Sequence, residues 1–195
     1  MRHWKKVVAA VGIAVGAALL TLFYVAARQS DGWYVVRSGT MRATPHAVFA
    51  QLDDFHRWQA WSPWADLDPQ AQHRFEGAQR GPGAVFYWSG NDKVGEGRMT
   101  ILESQPPQWL KMKLEFIRPM PDEAQVEFVV IPRDEEVLVV WSMHGTHPNL
   151  LSKLFCMVMN LDGMIGPDFE RGLARLKQVV ETPPAAPAGG APEGA

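Results

Sequence analysis

The stretch NLDGMIGPDFERGLARLKQVVE, residues 160–181, limits the fold more than any other part of the chain. Ile165, Phe169, Leu173 (or Gly172), Leu176 and Val180 recur at helical spacing. Glu170, Arg171, Arg175, Lys177 and Gln178 fall mostly on the other side. Such a helix must lay its apolar stripe on something apolar, and from Trp33 onward the preceding chain reads mainly as short strands. The pattern predicts an α+β domain: a curved antiparallel sheet of about six or seven strands, its concave face closed by this C-terminal helix.

The strands follow from alternation. Residues 33–43 form the first. Thr44 then caps a short helix that has Pro45 at its first position and Val48, Phe49 and Leu52 on its apolar side. Asp53 or Asp54 caps a second, carrying Phe55, Trp58 and Trp61 and ended by Ser62-Pro63. Strands are predicted over 73–77, 83–90, 94–104, 109–118, 123–132 and 137–145, joined by short turns into a meander. The clearest is 109–118, where Leu110, Met112, Leu114 and Phe116 face in and Lys111, Lys113 and Glu115 face out. A helical segment over 149–159 leads to the final helix. Gly163, Gly166 and Pro167 predict a kink or break near its start.

The N-terminus has a different texture. Val7 to Ala27 carries no charge and would span about 31 Å as a helix, close to the apolar thickness of a bilayer. Arg2, Lys5 and Lys6 precede it, which predicts a cytoplasmic N-terminus. Trp4 and Tyr24 suit the two interfaces. The expected organisation is a cytoplasmic stub (1–6), a transmembrane anchor (7–27), a linker (28–32), the domain (33–181) and a disordered tail (182–195) rich in Pro, Ala and Gly. A cleaved signal peptide ending in Val25-Ala-Ala27 is the competing reading, against which the length of the apolar run argues. Gly12 and Gly16 have the G-x-x-x-G spacing that lets two helices pair into a homodimer.

The formal charge of −2, with no basic cluster, argues against nucleic acid as a partner. The single cysteine, Cys156, lies in an apolar run and reads as a small buried hydrophobe. Eight Trp, nine Phe and nine Met fit either a dense core or an apolar pocket. Those expected to face inward, and so to bind a ligand if the interior is hollow, are Phe86, Trp88, Met99, Ile101, Met112, Leu114, Phe116, Phe128, Trp141, Met143, Met164 and Phe169. Gly95 and Gly97, also inward, would leave space among them. Trp58 is expected to staple the short helices to the sheet, and Trp61 and Trp64 to form a lip. Packed to ordinary density, the same residues would make a solid core.

Polar candidates are few. Asp162 shares a helical side with Ile165 and Phe169. It serves either as an inward acid/base or, on the simpler reading, as the cap of the closing helix. Asp168 is expected to support the helix dipole or pair with Arg171. His144 and His147 lack a further ligand for a metal, and Asp66-Leu-Asp68 lacks the Gly and Glu of a calcium loop. GPGAVF and VGEGRM open no helix and so make no phosphate site. No metal or cofactor is expected.

The order of strand, two short helices, long meander and closing helix resembles the START-like or SRPBCC superfamily, the helix-grip fold. The stretches PHAVFAQLDDFHRWQAWSPW, GPGAVFYWSGN and MIGPDFERGLARLK resemble its bacterial polyketide cyclase/dehydrase and lipid transport branch. The resemblance implies an apolar cavity between sheet and last helix and a hydrophobic small molecule or lipid as ligand. It implies no particular activity. The sequence therefore favours a membrane-anchored, non-catalytic carrier or sensor in the bacterial inner membrane, its domain outside the cytoplasm. A cyclase/dehydratase-type enzyme and a solid-core envelope scaffold are the alternatives.

Overall fold

A computed structural model of the chain describes residues 2–28, 32–146, 153 and 160–182. Helix α1 (Arg2–Arg28) precedes the domain. Strand β1 (Gly32–Met41) is followed by helix α2 (Pro45–Leu52) and the 3₁₀ helix η1 (Phe55–Ala60). Six more strands follow: β2 (Gln72–Gly77), β3 (Ala84–Ser89), β4 (Glu96–Gln105), β5 (Trp109–Arg118), β6 (Asp122–Arg133) and β7 (Glu136–Thr146). Helix α3 (Leu161–Glu181) closes the domain.

The seven strands form one antiparallel sheet in the order β1-β7-β6-β5-β4-β3-β2. Consecutive strands pair as hairpins, and β1 is brought across to β7, the last strand. The expected meander and closing helix are thus both present. The strand limits fall close to those predicted because one buried face forces a strict alternation. Burial along β5 and β6 alternates, with Leu110, Met112, Ala124, Val126, Phe128 and Val130 all inside. Local chemistry sets the two short helices as expected: the Thr44 hydroxyl accepts from the Ala47 N–H, and the Asp54 carboxylate from the His56 N–H.

Helix α3 departs from expectation at its start. It runs unbroken from Leu161 to Glu181 with Pro167 inside it, and its cap is Asn160 rather than Asp162. Asn160 sits at φ 46° and its side-chain oxygen accepts from the Gly163 N–H at 3.2 Å. Arg37 of β1 explains both the continuity and the position of Asp162. Its guanidinium donates twice to Asp162, at 2.8 and 3.0 Å, and once to Glu170 at 2.7 Å. Asp162, Gly166 and Glu170 lie one turn apart on a single stripe, so one cation grips the helix on both sides of Pro167. Gly166 lets the guanidinium lie flat on the helix, since a Cβ there would collide with Arg37 Nη2.

The membrane crossing expected over Val7–Ala27 is not shown by the fold: among the described residues, no helix is long and apolar enough to cross a membrane. The helix expected over 149–159, residue 153 apart, together with Cys156, His147 and the tail from residue 183, lies outside the described residues.

Candidate functional site: a grip filled at one end

The space between sheet and α3 is filled at one end and hollow at the other. At the filled end, α2 and η1 drive indole rings under the sheet. The Trp58 indole N–H donates to the Leu52 carbonyl at 3.0 Å and that of Trp61 to the Gln51 carbonyl at 3.2 Å. These bonds fix both rings while each packs against Phe128 nearly at right angles, with ring centroids 6.1 Å apart. Ile101, Leu110, Met112 and Val139 complete this layer, none more than 1% exposed.

At the other end lies a cavity of about 400 Å³. Its buried walls come from Phe86 and Met99 on β3 and β4, Leu114 and Val126 on β5 and β6, and Trp141 and Met143 on β7. Trp58 closes it toward the packed end, and Phe169 closes it from α3, its ring stacked on Trp141 at 4.0 Å. Trp64, Trp88, Phe116 and Ile165 are half-buried nearer the opening. The rim is polar or exposed: Gln59, His73 and Lys93 are exposed, and Met164 is 53% exposed.

The residues expected to line a pocket therefore separate into two groups. Trp64, Phe86, Trp88, Met99, Leu114, Phe116, Trp141, Met143, Met164 and Phe169 do line the cavity. Trp61, Ile101, Met112 and Phe128 do not; they are sealed in the packed end. Trp58 staples as expected and Trp61 does not form the expected lip. Trp61 is fully buried as a packed staple, outside the cavity lining, and Trp58 both staples and lines. Gly97 leaves no void, because the Trp88 ring occupies the place that a side chain would take. Gly95 is not a spacer either: at φ 62° it forms the β3–β4 turn against the Arg118 carbonyl.

Asp162 does not reach the cavity. It is exposed on the outer side of α3, and its hydrogen bonds with Arg37 hold its carboxyl below the ordinary carboxylate range. Two other carboxylates line the cavity, and both are engaged. Asp168 accepts from the Trp64 indole N–H at 3.2 Å and pairs with Arg171. Asp68 accepts from the backbone N–H groups of Gln70 and Asn91, at 3.1 and 2.7 Å. One donor in the wall has no partner among the described residues: the buried indole N–H of Trp141. No group of three or more His, Cys, Asp or Glu that would hold a metal occurs among the described residues.

Sequence reasoning missed the rim, His73, Lys93, Val94 and Asp68. These sit on an edge strand and in turns, where no apolar period marks which side chain faces in.

Comparison with known proteins rests on the same region. Residues 33–181 match the family described as polyketide cyclase/dehydrase and lipid transport. The chain belongs to this family. No curated protein sequence matches it. Solved structures share the fold at low identity. Protein MLL2253 from Mesorhizobium loti has a TM-score of 0.56 at 16% identity, over 76% of this chain and 97% of that one. The Aha1 dimer from Colwellia psychrerythraea has a TM-score of 0.50 at 12% identity, over 76% of this chain and 96% of its own. DynU16, a protein of the dynemicin biosynthetic locus, gives 0.52 at 15% identity, over 79% of this chain and 48% of that one. At such identities the likeness speaks for the helix-grip architecture alone.

Proposed function

We propose that the domain holds one hydrophobic small molecule or lipid in the cavity between sheet and α3, as a carrier or sensor, and that α1 tethers it to a bilayer. The observation that carries the reading is the cavity itself, about 400 Å³ with walls of Phe, Trp, Met, Leu and Val. That size lies within the ~300–1,000 Å³ common for small-molecule sites. A ligand that buried roughly 200 Å² of apolar surface there would gain about 5 kcal/mol from leaving water. The polar rim suits a ligand with a polar head at the opening.

Acid–base chemistry has less support. The carboxylate proposed for it faces outward, and the two carboxylates lining the cavity are already engaged by internal donors.

The tether draws on α1. Trp4, Ile13, Val15, Leu20, Phe23 and Tyr24 are all more than half exposed, on different sides of the helix. A helix apolar all round needs lipid or another apolar partner to cover it. Arg2, Lys5 and Lys6 favour the N-terminus on the cytoplasmic side of a bacterial inner membrane, with the domain beyond it. At Gly12 and Gly16 an added Cβ would meet nothing within 4 Å, which leaves room for a second α1 in a homodimer.

The test is native mass spectrometry of the full chain released from lipid nanodiscs. The reading predicts a bound apolar molecule at one per chain, exchangeable for an added acyl or aromatic compound. A chain that always leaves the nanodisc with its bare mass, and stays so after incubation with such compounds, would refute it.

A further inference from the structure

We propose that the mouth of the cavity is apposed to the surface of a lipid bilayer, so that ligand passes between cavity and membrane without crossing bulk water. The inference rests on the hydrophobic-ligand reading above and on α1 residing in the bilayer. What it adds is the orientation of the domain.

Strand register supplies the first part. Gly32 pairs with Thr146, Phe116 with Asp122, Glu96 with Arg118, and Ser89 with both Glu96 and Gln72. The start of β1, the end of β7 and the β3–β4 and β5–β6 turns therefore share one end of the sheet. Gly95 of the first turn abuts Arg118 and Pro119 of the second. Helix α3 runs alongside β1, with Asp162 at Arg37 and Glu181 accepting from the Arg42 N–H, so its first turn is also at this end. Lys93, Val94, Phe116 and Met164 line the cavity here, and because Lys93 and Met164 are exposed we place its mouth at this end.

Covalent reach supplies the second part. Helix α1 ends at Arg28 and β1 begins at Gly32. Four Cα steps span about 14 Å at most, even fully extended. Whatever surface holds the end of α1 must lie that close to the first residue of β1, and hence to the end of the sheet that carries the mouth. Had the anchor joined at Met41, the same tether would have turned the cavity away.

The two ends differ at their tips, although the mouth end also carries Asp92 and Lys93 in the β3–β4 turn and Arg118 and Asp122 beside the β5–β6 turn. Beside the mouth, Ile117 is 45% exposed and Met120, at the tip of the β5–β6 turn between two prolines, is 62% exposed; Met164 adds a third apolar side chain. The turns at the opposite end carry Gln79 and Arg80, and Arg133, Asp134, Glu135 and Glu136. The apolar tip at Met120 is the part of this end that enters the interface of a bilayer, with the charged residues beside it at headgroup level; the opposite end offers no such tip in the turns at Arg80 and at residues 134–136.

The experiment uses the full chain in phosphatidylcholine vesicles with Cys156→Ser as background. An environment-sensitive fluorophore is placed at Met120→Cys or, at the far end, at Asp134→Cys. The proposal predicts blue-shifted emission at position 120, quenched by spin-labelled lipid, and water-like emission at position 134. Water-like emission at both positions, or the reverse pattern, overturns it. Stopped-flow transfer of a fluorescent fatty acid from vesicle to protein provides a second readout. The double variant Ile117→Asp, Met120→Asp should slow transfer at least about fivefold and leave equilibrium affinity unchanged; an unchanged rate contradicts the proposal. If ligand binds but position 120 stays in water, the orientation fails and the carrier reading stands. If position 120 is in lipid but no ligand binds, the carrier reading fails instead.

Discussion

The two ends of the grip are built from the same kinds of side chain and do opposite things. Trp61, Phe128, Met112 and Ile101 are at most 1% exposed and line no part of the cavity, while between Phe86, Met99, Leu114 and Met143 a cavity of about 400 Å³ remains. What separates them is the chain that lies under the sheet. At the packed end α2 and η1 insert rings that are pinned by indole hydrogen bonds to their own backbone. At the open end α3 and the loop after η1 reach the sheet through Phe169 and Trp64, and η1 only borders the space, through Trp58, with Phe55 packed on Phe86. Apolar composition thus fixes that a core exists, and the placement of two short helices decides how much of it is solid.

That contrast can be broken most severely at the packed end. Trp61→Ala should cost about 3–5 kcal/mol in chemical denaturation, as large-to-small changes in a tight core do. Phe128→Ala should behave alike. A loss below about 1 kcal/mol would mean that this end is not close-packed.

At the open end the same kind of truncation should matter less. Leu114→Ala borders a space that already exists, so about 1–2 kcal/mol is expected. Its greater effect should be on ligand affinity, read by titration. Equal stability losses at Leu114 and Trp61 would erase the distinction between the ends.

The Arg37 grip sharpens the comparison, because it holds α3 over the open end from outside. Arg37→Gln should lower Tm, by less in high salt than in low salt. It should also change the acid limb of stability. The Asp162 carboxyl is held below its ordinary value of 3.8 by Arg37, so its contribution is present above that value and is lost as pH falls through the folded-state value. In Arg37→Gln that acid loss should shrink.

The smallest effect expected is at Asp53, at the junction of α2 and η1. Its Oδ1 is buried without a hydrogen-bond partner among the described residues, and burial raises its carboxyl above the ordinary value, partly opposed by Arg80. A raised value favours the fold at low pH and is lost as pH rises through it, the opposite sign to Asp162. Asp53→Asn should therefore stabilise the protein slightly at neutral pH, with the gain vanishing near pH 3, measured by thermal melts across pH.

Much of this architecture is legible in the sequence, for a physical reason. A strand with one buried face must alternate, so Leu110, Met112, Leu114 and Phe116 on β5 declare both the strand and its inner face. The Thr44-Pro45 and Asp54 caps are local chemistry and read equally well. Three features are not legible because they depend on partners distant in the chain. Gly97 reads as a source of space, but its cross-strand partner Trp88 lays a ring over it. Trp61 reads as a lip, but its hydrogen bond to Gln51 turns it into the packed end. Pro167 reads as a kink or break, but the helix is continuous across it, with Arg37, far away in sequence, bonded on both sides. The stripe of Asp162, Gly166 and Glu170, two acids one turn either side of a glycine, is the signal that a cation lies there.

The central claim is that the open end of the grip is a ligand site. Its most direct test is to fill the space: Met99→Trp and Met143→Phe, compared with the unaltered full chain in nanodiscs by titration with a fluorescent acyl probe. The account predicts saturable binding at one site per chain in the unaltered protein and at least tenfold weaker binding in the filled variant, with Tm little changed. Equal binding by both proteins, or no saturable binding by the unaltered one, would contradict it.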